Sequence, residues 1–306
     1  MSAHHITLHA NTDEGGGKVP NQDNCTIFKS KHFDALIVCD GMGGHTDGDW
    51  ASKITINILT NKLQELAADP KLQSISTLFF EKVRNIITLA NETLHNRATK
   101  LNSIVGTTLT ILIIARDPKD RGTFIWSAHS GDSKIYLLNN QTMKTYYISK
   151  DHNRLNQSVE LGEKLDNVET LTSCIGGRQE YQLKEKLFVL TNNGDLHKKD
   201  NLKSTPILID DKVESLLFIL CSDGMTCFIE NDLNELPIIT KDIVDEENHR
   251  ILTEIKQFIP SNTTVEQATQ HLIDVAKRNE TWDNVTVGMA LISINSHEFV
   301  NATINT

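Results

Sequence analysis

The same strand ending occurs twice in this chain, at points far apart in the sequence. The first copy, "LIVCDGMGGH", covers Leu36–His45, and the second, "LFILCSDGMTC", covers Leu217–Cys227. Each is an apolar run that predicts a buried strand and leads through a cysteine into Asp-Gly-Met. A single Asp-Gly pair is typical of a turn. An ionised carboxylate at the end of a buried strand, however, costs several kcal/mol unless a positive group compensates it. The two copies therefore indicate two halves of one site that the fold must bring together.

A hard divalent cation is the compensating group that these motifs favour. Neither motif contains Lys or Arg, so Asp40 and Asp223 have no cationic side chain beside them in the sequence. Divalent cations such as Mg²⁺ bind carboxylate and carbonyl oxygens. Gly41 allows the backbone a turn sharp enough to offer its own carbonyl.

Three more aspartates lie beside predicted strands. Asp23 occurs in "VPNQDNCTIF", Asp132 in "HSGDSKIYLL" and Asp283 in "TWDNVTVGM". Aspartates at several strand edges, with small or amide neighbours, indicate one carboxylate cluster assembled from distant segments. Oxygen ligands with no His or Cys partner fit Mg²⁺ or Mn²⁺ better than Zn²⁺.

The remaining pattern predicts separate blocks of strands and helices. Apolar residues at helical spacing predict one helix over 47–68, capped by Asp47, and a second over about 76–100. Short β-branched and aromatic runs fill the centre of the chain, with a hairpin predicted around Asn193-Gly194. This segregation favours an α+β fold with antiparallel sheets.

A late helix is predicted from "TTVEQATQHLIDVAKRN". Thr263 and Glu266 have the spacing of a capping box at its start. The helix leads into a final strand that begins just after Asp283.

The composition excludes some classes of function. The 306 residues carry a formal net charge of −10, which argues against general nucleic-acid binding because that requires a basic face. The N-terminus has no charged-then-apolar signal pattern, and the longest apolar stretch, near "TTLTILIIA", is too short to span a bilayer. We therefore expect a cytoplasmic protein that binds neither membrane nor nucleic acid. Export by a route without a cleaved signal stays open.

The cysteines do not suggest a site of their own. Their number is five and no pair has CxxC spacing, so we expect reduced thiols rather than disulfides or zinc ligands. The sequence also has no cysteine nucleophile in a CxxxxxR pattern. The residues six positions after the cysteines are Lys31, His45, Glu180, Cys227 and Leu233.

Taken together, the motifs resemble the PPM family of metal-dependent Ser/Thr protein phosphatases, type 2C, in its bacterial form. The matching segments extend from about residue 18 to 292, in the family's order, and are "KVPNQD", "VCDGMGGH", "GTTL", "SGDSKIYLL", "SKDHN", "LTSCIGG", "LFILCSDGMT" and "WDNVTV". The resemblance implies a four-layer αββα sandwich in which two antiparallel β-sheets are flanked by helix pairs. It also implies a single phosphatase domain over 1–306, with an insertion around 234–260.

The resemblance gives each acidic position a role in holding metal. Asp40, Asp223 and Asp283 match the ligands of a first Mn²⁺ or Mg²⁺ ion. Asp40 would bridge to a second ion, which the Gly41 carbonyl also binds. Asp132, together with Asp223, would hold a third ion more loosely.

Other matched positions carry catalytic or supporting roles, and some depart from the family pattern. Asp23 would orient metal-bound water, and Asn284 would support the site. Lys18 stands where the family often has an Arg that grips the substrate phosphate, so the charge is kept but the bidentate fork is lost. Gln22, a supporting position, replaces the Glu of animal members. Met42 replaces a His that has been proposed as a general acid.

Three further positions lie in matched segments, but their residues give only weak evidence for a role in the site. His45 lies in the metal-site loop and could approach substrate, but a solvated or capping role is preferred. His152 in "KDHN" is expected to be structural, with a backbone partner. Lys134 replaces another common Arg.

The implied activity is hydrolysis of phosphoserine and phosphothreonine in proteins by a monomeric enzyme. Water bridging two metals attacks phosphorus, and no covalent phosphoenzyme is needed. Two alternatives stay open: a phosphatase of small phosphorylated molecules, and a catalytically weak binding module of the same fold. Lys18, Gln22 and Met42 favour the binding module, whereas retention of the metal-binding acids argues against it.

Overall fold

The structure is a computed structural model that describes residues 4–16, 20–43, 45–69, 77–116, 122–162, 170–177, 180–199, 205–229, 240–259 and 263–294. The strands are β1 His5–Asp13, β2 Asp23–Lys29, β3 Phe33–Met42, β4 Gly106–Thr107, β5 Leu109–Arg116, β6 Gly122–Ser130, β7 Lys134–Asn139, β8 Thr145–Ile148, β9 Lys184–Thr191, β10 Leu196–Lys199, β11 Ile207–Asp210, β12 Ser215–Cys221 and β13 Val285–Ser293. The helices are α1 His45–Ala68, α2 Thr77–Leu101, α3 Arg154–Leu161, α4 Lys241–Phe258 and α5 Val265–Arg278, with a 3₁₀ turn at Asp223–Met225.

The strands form two antiparallel sheets, which confirms the predicted α+β class. The smaller sheet has five strands in the order β1-β13-β12-β7-β8. The larger has eight, in the order β11-β10-β9-β6-β5-β3-β2, with β4 paired to β3. The predicted hairpin at Asn193-Gly194 is present, because β9 pairs with β10 and Gly194 takes the left-handed conformation (φ 90°) that such a turn requires.

Period-two alternation along β3 places its side chains in two different layers. Phe33 and Ile37 belong to the core between the larger sheet and the outer helices α1 and α2, where Leu59 and Ile87 also lie. Leu36, the neighbour of Ile37, belongs instead to the core between the two sheets.

The smaller sheet has its own outer helices. Leu217 and Ile219 of β12 share a buried core with Ile251 of α4 and Leu272 of α5. The order of layers is therefore helix pair, larger sheet, smaller sheet, helix pair, as the family resemblance implies.

The expected insertion at 234–260 lies partly outside the described residues, which omit 230–239 and 260–262. The part that is described forms α4. Because Ile251, Leu252 and Ile255 are buried against the smaller sheet and α5, this segment supplies one of the outer helices. None of the helices in the described ranges is long and apolar enough to cross a membrane.

Two predicted helix starts are wrong. α1 begins at His45, so Asp47 lies in its first turn and does not cap it. At α5 the predicted capping pair is wrong by one residue. The capping box consists of Thr264 and Gln267 instead of Thr263 and Glu266. The Thr264 hydroxyl accepts from Gln267 N at 3.1 Å, and Gln267 Oε1 accepts from Thr264 N at 3.0 Å. Both pairs satisfy the capping pattern. The burial of Val265 at the first helical position selects the later one.

Candidate active site

The candidate site begins where β2 and β3 lie side by side in the larger sheet. Asp23 of β2 is the direct cross-strand neighbour of Asp40 of β3. Asp23 is 3% exposed, so its carboxylate is held inside the protein close to the end of the first Asp-Gly strand.

The second Asp-Gly strand reaches the same place from the smaller sheet. β12 ends at Cys221, and the next residue, Ser222, donates a hydrogen bond from Oγ to Asp23 Oδ2 at 2.7 Å. Ser222 Oγ in turn accepts from the backbone N–H of Thr286 in β13 at 2.9 Å. Asp223 follows directly and starts the 3₁₀ turn. The two repeated strand endings therefore meet across the interface between the sheets.

Asp283 is brought next to Asp223 by close backbone packing. A Cβ on Gly224 would lie 1.8 Å from the carbonyl oxygen of Asn284, so only glycine fits at this position. The Thr281 hydroxyl also donates to the Gly224 carbonyl at 2.7 Å. The turn that carries Asp223 thus lies directly against the loop that carries Asp283.

Asn284 ties that loop to the N-terminal segments. Its Oδ1 accepts from the backbone N–H of Gln22 at 3.0 Å, and its Nδ2 donates to the carbonyl of Glu14 at 3.0 Å. Its own backbone N–H donates to Asp283 Oδ1 at 2.7 Å. The side-chain amide of Asn284 therefore ties two N-terminal segments to the loop of Asp283.

Gly41 lies between Gln22 and the first turn of α1. A Cβ on Gly41 would lie 2.0 Å from the carbonyl oxygen of Gly48 and 2.8 Å from that of Gln22. The Gln22 carbonyl accepts from Gly41 N at 3.1 Å and from the Ser52 hydroxyl at 2.6 Å. This packing fixes the backbone just after Asp40.

The residue after Asp132 is connected to the backbone of Asp40 through two hydroxyl groups. The backbone N–H of Asp40 donates to Thr108 Oγ1 at 3.0 Å. Thr108 Oγ1 is also 2.7 Å from the hydroxyl of Ser133, the residue after Asp132. The loop between β6 and β7 is therefore anchored to the end of β3.

His152 and Lys134 hold the same loop from the other side. The backbone N–H of Gly131 donates to His152 Nδ1 at 3.1 Å, which confirms the structural role expected for this histidine. Burial lowers the pKa of His152 to about 3, so the ring is neutral and its nitrogen can accept. Lys134 forms a buried ion pair with Asp151.

The electrostatics show that the acidic side chains interact. Burial, followed by the charges of Asp23, Asp223, Asp132 and Asp283, raises the pKa of Asp40 well above its usual value. Burial also raises the pKa of Asp23 to about 6, and the hydrogen bond from Ser222 opposes this shift. Carboxylates that repel one another in a buried place are stabilised by a bound cation.

The donor set fits a hard divalent cation. The converging groups are carboxylates and a glycine-anchored backbone, all of which offer oxygen. Within the described ranges, no three His, Cys, Asp or Glu side chains already stand in a formed metal-binding group. The fit therefore rests on the oxygen chemistry and on the raised pKa of Asp40.

The remaining candidate residues from the sequence, Lys18, His45 and the cysteines, are not placed in the site by the described structure. Lys18 lies outside the described residues, as does the side chain of His45, although α1 begins at that residue. All five cysteines are free, and burial raises the pKa of Cys221 to about 12. A thiol with such a pKa is protonated at neutral pH and is a poor nucleophile.

The hydroxyl groups of Ser222, Thr108 and Ser133 are not predicted by any sequence pattern described above. Each lies one residue from an acid of the site or bonds to its backbone. Ser222 could have been noticed, because it separates Cys221 from Asp223 where the first copy of the motif has no residue.

Comparisons with known proteins identify the relatives of this chain. The family model for protein phosphatase 2C matches residues 16–274. A serine/threonine phosphatase, stp, of Listeria monocytogenes is 25% identical over 296 residues, covering 92% of this chain and 94% of the relative.

Solved structures show the same fold at lower identity. PppA, a regulatory component of T6SS in Pseudomonas aeruginosa, has a TM-score of 0.64 and 17% identity, covering 95% of this chain and 99% of that one. The serine/threonine phosphatase Stp1 of Staphylococcus aureus has a TM-score of 0.63 and 22% identity, covering 96% and 97%. The resemblance predicted from the motifs is confirmed, and the chain belongs to the protein phosphatase 2C family.

Proposed function

We propose that this chain is a metal-dependent phosphatase that hydrolyses phosphoserine and phosphothreonine in proteins. The observation that carries the proposal is the convergence of Asp23 and Asp223 from different sheets, joined through Ser222. The raised pKa of Asp40, caused by burial and by the other acids, supports a site that concentrates negative charge for a cation. The relatives named as serine/threonine phosphatases support the substrate class.

The proposed ligands follow the family pattern at the positions described above. Asp40, Asp223 and Asp283 hold one Mn²⁺ or Mg²⁺ ion. Asp40 and the Gly41 carbonyl contribute to a second. Asp132, with Asp223, contributes to a third. When bound, two such ions lower the pKa of water and neutralise the phosphoryl oxygens.

The chain's own groups position the reactants. Asp23, buried and held by Ser222, is placed to orient the attacking water by accepting its hydrogen bond. Gln22 and Asn284 fix the backbone on which Gly41 and Asp283 stand. Lys18 is proposed to bind the substrate phosphate as a single charge, which gives weaker orientation than a guanidinium.

The test is hydrolysis of p-nitrophenyl phosphate with Mn²⁺, with Mg²⁺ and with EDTA. We expect turnover only with metal, and a loss of about a hundredfold or more in Asp40→Asn and Asp223→Asn, because each removes a charged ligand. Asp210→Asn is the matched control, since Asp210 lies on β11 at the far edge of the larger sheet and pairs with Lys144. Equal turnover in EDTA would refute the proposal.

A substrate panel separates proteins from small phosphorylated molecules. Phosphoserine and phosphothreonine peptides should be hydrolysed with higher kcat/KM than sugar phosphates or nucleotides. The reverse order would favour the small-molecule alternative, and no turnover of any substrate with metal would favour a binding module.

A further inference from the structure

Trp282 is an exposed aromatic side chain beside the acidic site. It precedes Asp283 in the chain and is 64% exposed. The other two tryptophans are covered: Trp126 is 1% exposed, and the guanidinium of Arg97 lies 4.2 Å from the ring centroid of Trp50. Indole is costly to leave in water, and exposed tryptophans are enriched at binding surfaces.

The backbone that carries Trp282 is fixed on both sides. Thr281 donates its N–H to the Ala276 carbonyl at 3.1 Å and its hydroxyl to the Gly224 carbonyl at 2.7 Å. On the other side, Asp283 accepts from Asn284 N at 2.7 Å. An indole on a fixed backbone has only its own two torsions to order, so a contact with it costs little conformational entropy.

A glycine turn lies alongside this loop. Gly16 N donates to the Thr281 carbonyl at 3.1 Å, and a Cβ on Gly16 would lie 3.8 Å from Trp282 Cα. Because Gly15 and Gly16 carry no side chains, the turn approaches the loop without adding a side chain that would cover the indole. The rim of the site beside Asp283 thus presents an exposed aromatic ring on a backbone held by hydrogen bonds.

We propose that Trp282 is the docking residue for the peptide chain that flanks the phosphorylated residue of the substrate. This inference rests on the proposed phosphatase function and adds a determinant of substrate class. The neighbours of a phosphorylated residue lie only about 3.8 Å away from it along the chain, and Trp282 directly precedes Asp283 of the acidic cluster. Packing against an indole face tolerates many side chains. Trp282 therefore favours peptides over small phosphate esters without selecting one peptide sequence.

The first experiment compares substrates in Trp282→Ala, Trp282→Phe and the native chain, with Mg²⁺ present. We measure the ratio of kcat/KM for a phosphothreonine peptide to kcat/KM for p-nitrophenyl phosphate. Truncation of an aromatic anchor should lower this ratio about five- to thirtyfold. Trp282→Phe, which keeps an aromatic face, should retain at least about half of it.

The matched control is Leu208→Ala. Leu208 is also an exposed apolar residue, 55% accessible, but it lies on β11 at the opposite edge of the larger sheet from β2. Its replacement should leave the ratio unchanged within about twofold, since the residue is remote from the proposed site.

The second experiment observes the contact directly. A slowly hydrolysed thiophosphorylated peptide should change the tryptophan fluorescence of the native chain, and Trp282→Phe should lose that change. Free phosphoserine should produce a smaller change, because it lacks flanking residues.

These outcomes separate the inference from the proposed function. If the native chain with metal hydrolyses p-nitrophenyl phosphate but Trp282→Ala keeps the native ratio within about twofold, the docking role is overturned and the phosphatase stands. If the native chain hydrolyses neither substrate with metal, the proposed function itself fails.

Discussion

Ser222 Oγ donates a 2.7 Å hydrogen bond to Asp23 Oδ2, and this bond joins residues 199 positions apart in the chain. It connects the end of β12 in the smaller sheet with β2 in the larger sheet. The same hydroxyl accepts from Thr286 N, so three strands meet at one buried oxygen. The acids of the candidate site are therefore held by the packing of the two sheets.

The buried carboxyl of Asp23 predicts a pH dependence of stability in the metal-free protein. Burial raises the pKa of Asp23 from 3.8 to about 6. A raised folded-state pKa means that the folded protein binds the proton more tightly than the unfolded chain. The contribution of Asp23 is therefore fully present below pH about 4 and is lost as the pH rises through about 6, by roughly 3 kcal/mol.

Urea unfolding in EDTA between pH 4 and pH 8 measures this effect. Relative to the native chain, Asp23→Asn should gain stability as the pH rises over that window, because the amide does not ionise. Parallel stability curves for the two proteins would show that Asp23 does not titrate as described.

Asp40→Asn should separate stability from metal binding. Without metal, we expect it to be more stable than the native chain at pH 7.5, because the amide avoids ionising a buried carboxyl that neighbouring acids repel. With Mg²⁺ at a hundredfold excess over its Kd, the native chain should gain about 2.7 kcal/mol, and the variant should gain much less.

Thermal unfolding with and without Mg²⁺ tests both parts. In the native chain the Asp210 carboxylate accepts from Lys144 and Tyr146, away from the site. Asp210→Asn should therefore keep the native response to metal. A full metal response in Asp40→Asn would remove this residue from the proposed ligands.

Gly224→Ala should disrupt the contact between the turn of Asp223 and the loop of Asp283. The added Cβ would lie 1.8 Å from the Asn284 carbonyl oxygen, so one backbone segment must move, at a cost of about 3 kcal/mol or more. The loss of activity should exceed the loss expected from the unfolded fraction alone, because Asp223 and Asp283 move apart in the folded protein.

Gly162→Ala is the control that replaces a glycine without creating a steric clash near the acids. Gly162 ends α3 with φ +72° and would place its Cβ near no other atom. Its replacement should cost about 1 kcal/mol from the left-handed backbone and leave activity at the native level. Chemical unfolding and the p-nitrophenyl phosphate assay, run on both variants, distinguish the two effects.

Replacing each of two adjacent threonines by alanine tests which one belongs to the capping box of α5. Thr264→Ala removes the acceptor for Gln267 N and should lower the free energy of unfolding by about 1 kcal/mol. Thr263→Ala loses one exposed hydrogen bond to Gln267 Oε1 and should cost no more than about half as much. The opposite order, measured by urea unfolding, would place the cap where the sequence pattern first suggested.

The sequence by itself determined α1, α2, α5, the main strands and the chemistry of the acids. The continuous apolar run of β3 and the helical spacing in α1 were sufficient because both patterns are local. The repeated Asp-Gly ending was sufficient to pair Asp40 with Asp223, because a buried carboxylate requires compensation wherever its strand lies.

Only the tertiary structure decided which groups hold those acids in place. The hydroxyl of Ser222 and the hydroxyl of Thr108 have partners far away in the sequence, and a hydroxyl carries no local pattern that names a distant partner. The start of α5 at Val265 was likewise decided by burial against the smaller sheet. Local spacing specifies which face of an element is apolar, whereas hydrogen bonds between sheets depend on how those faces pack.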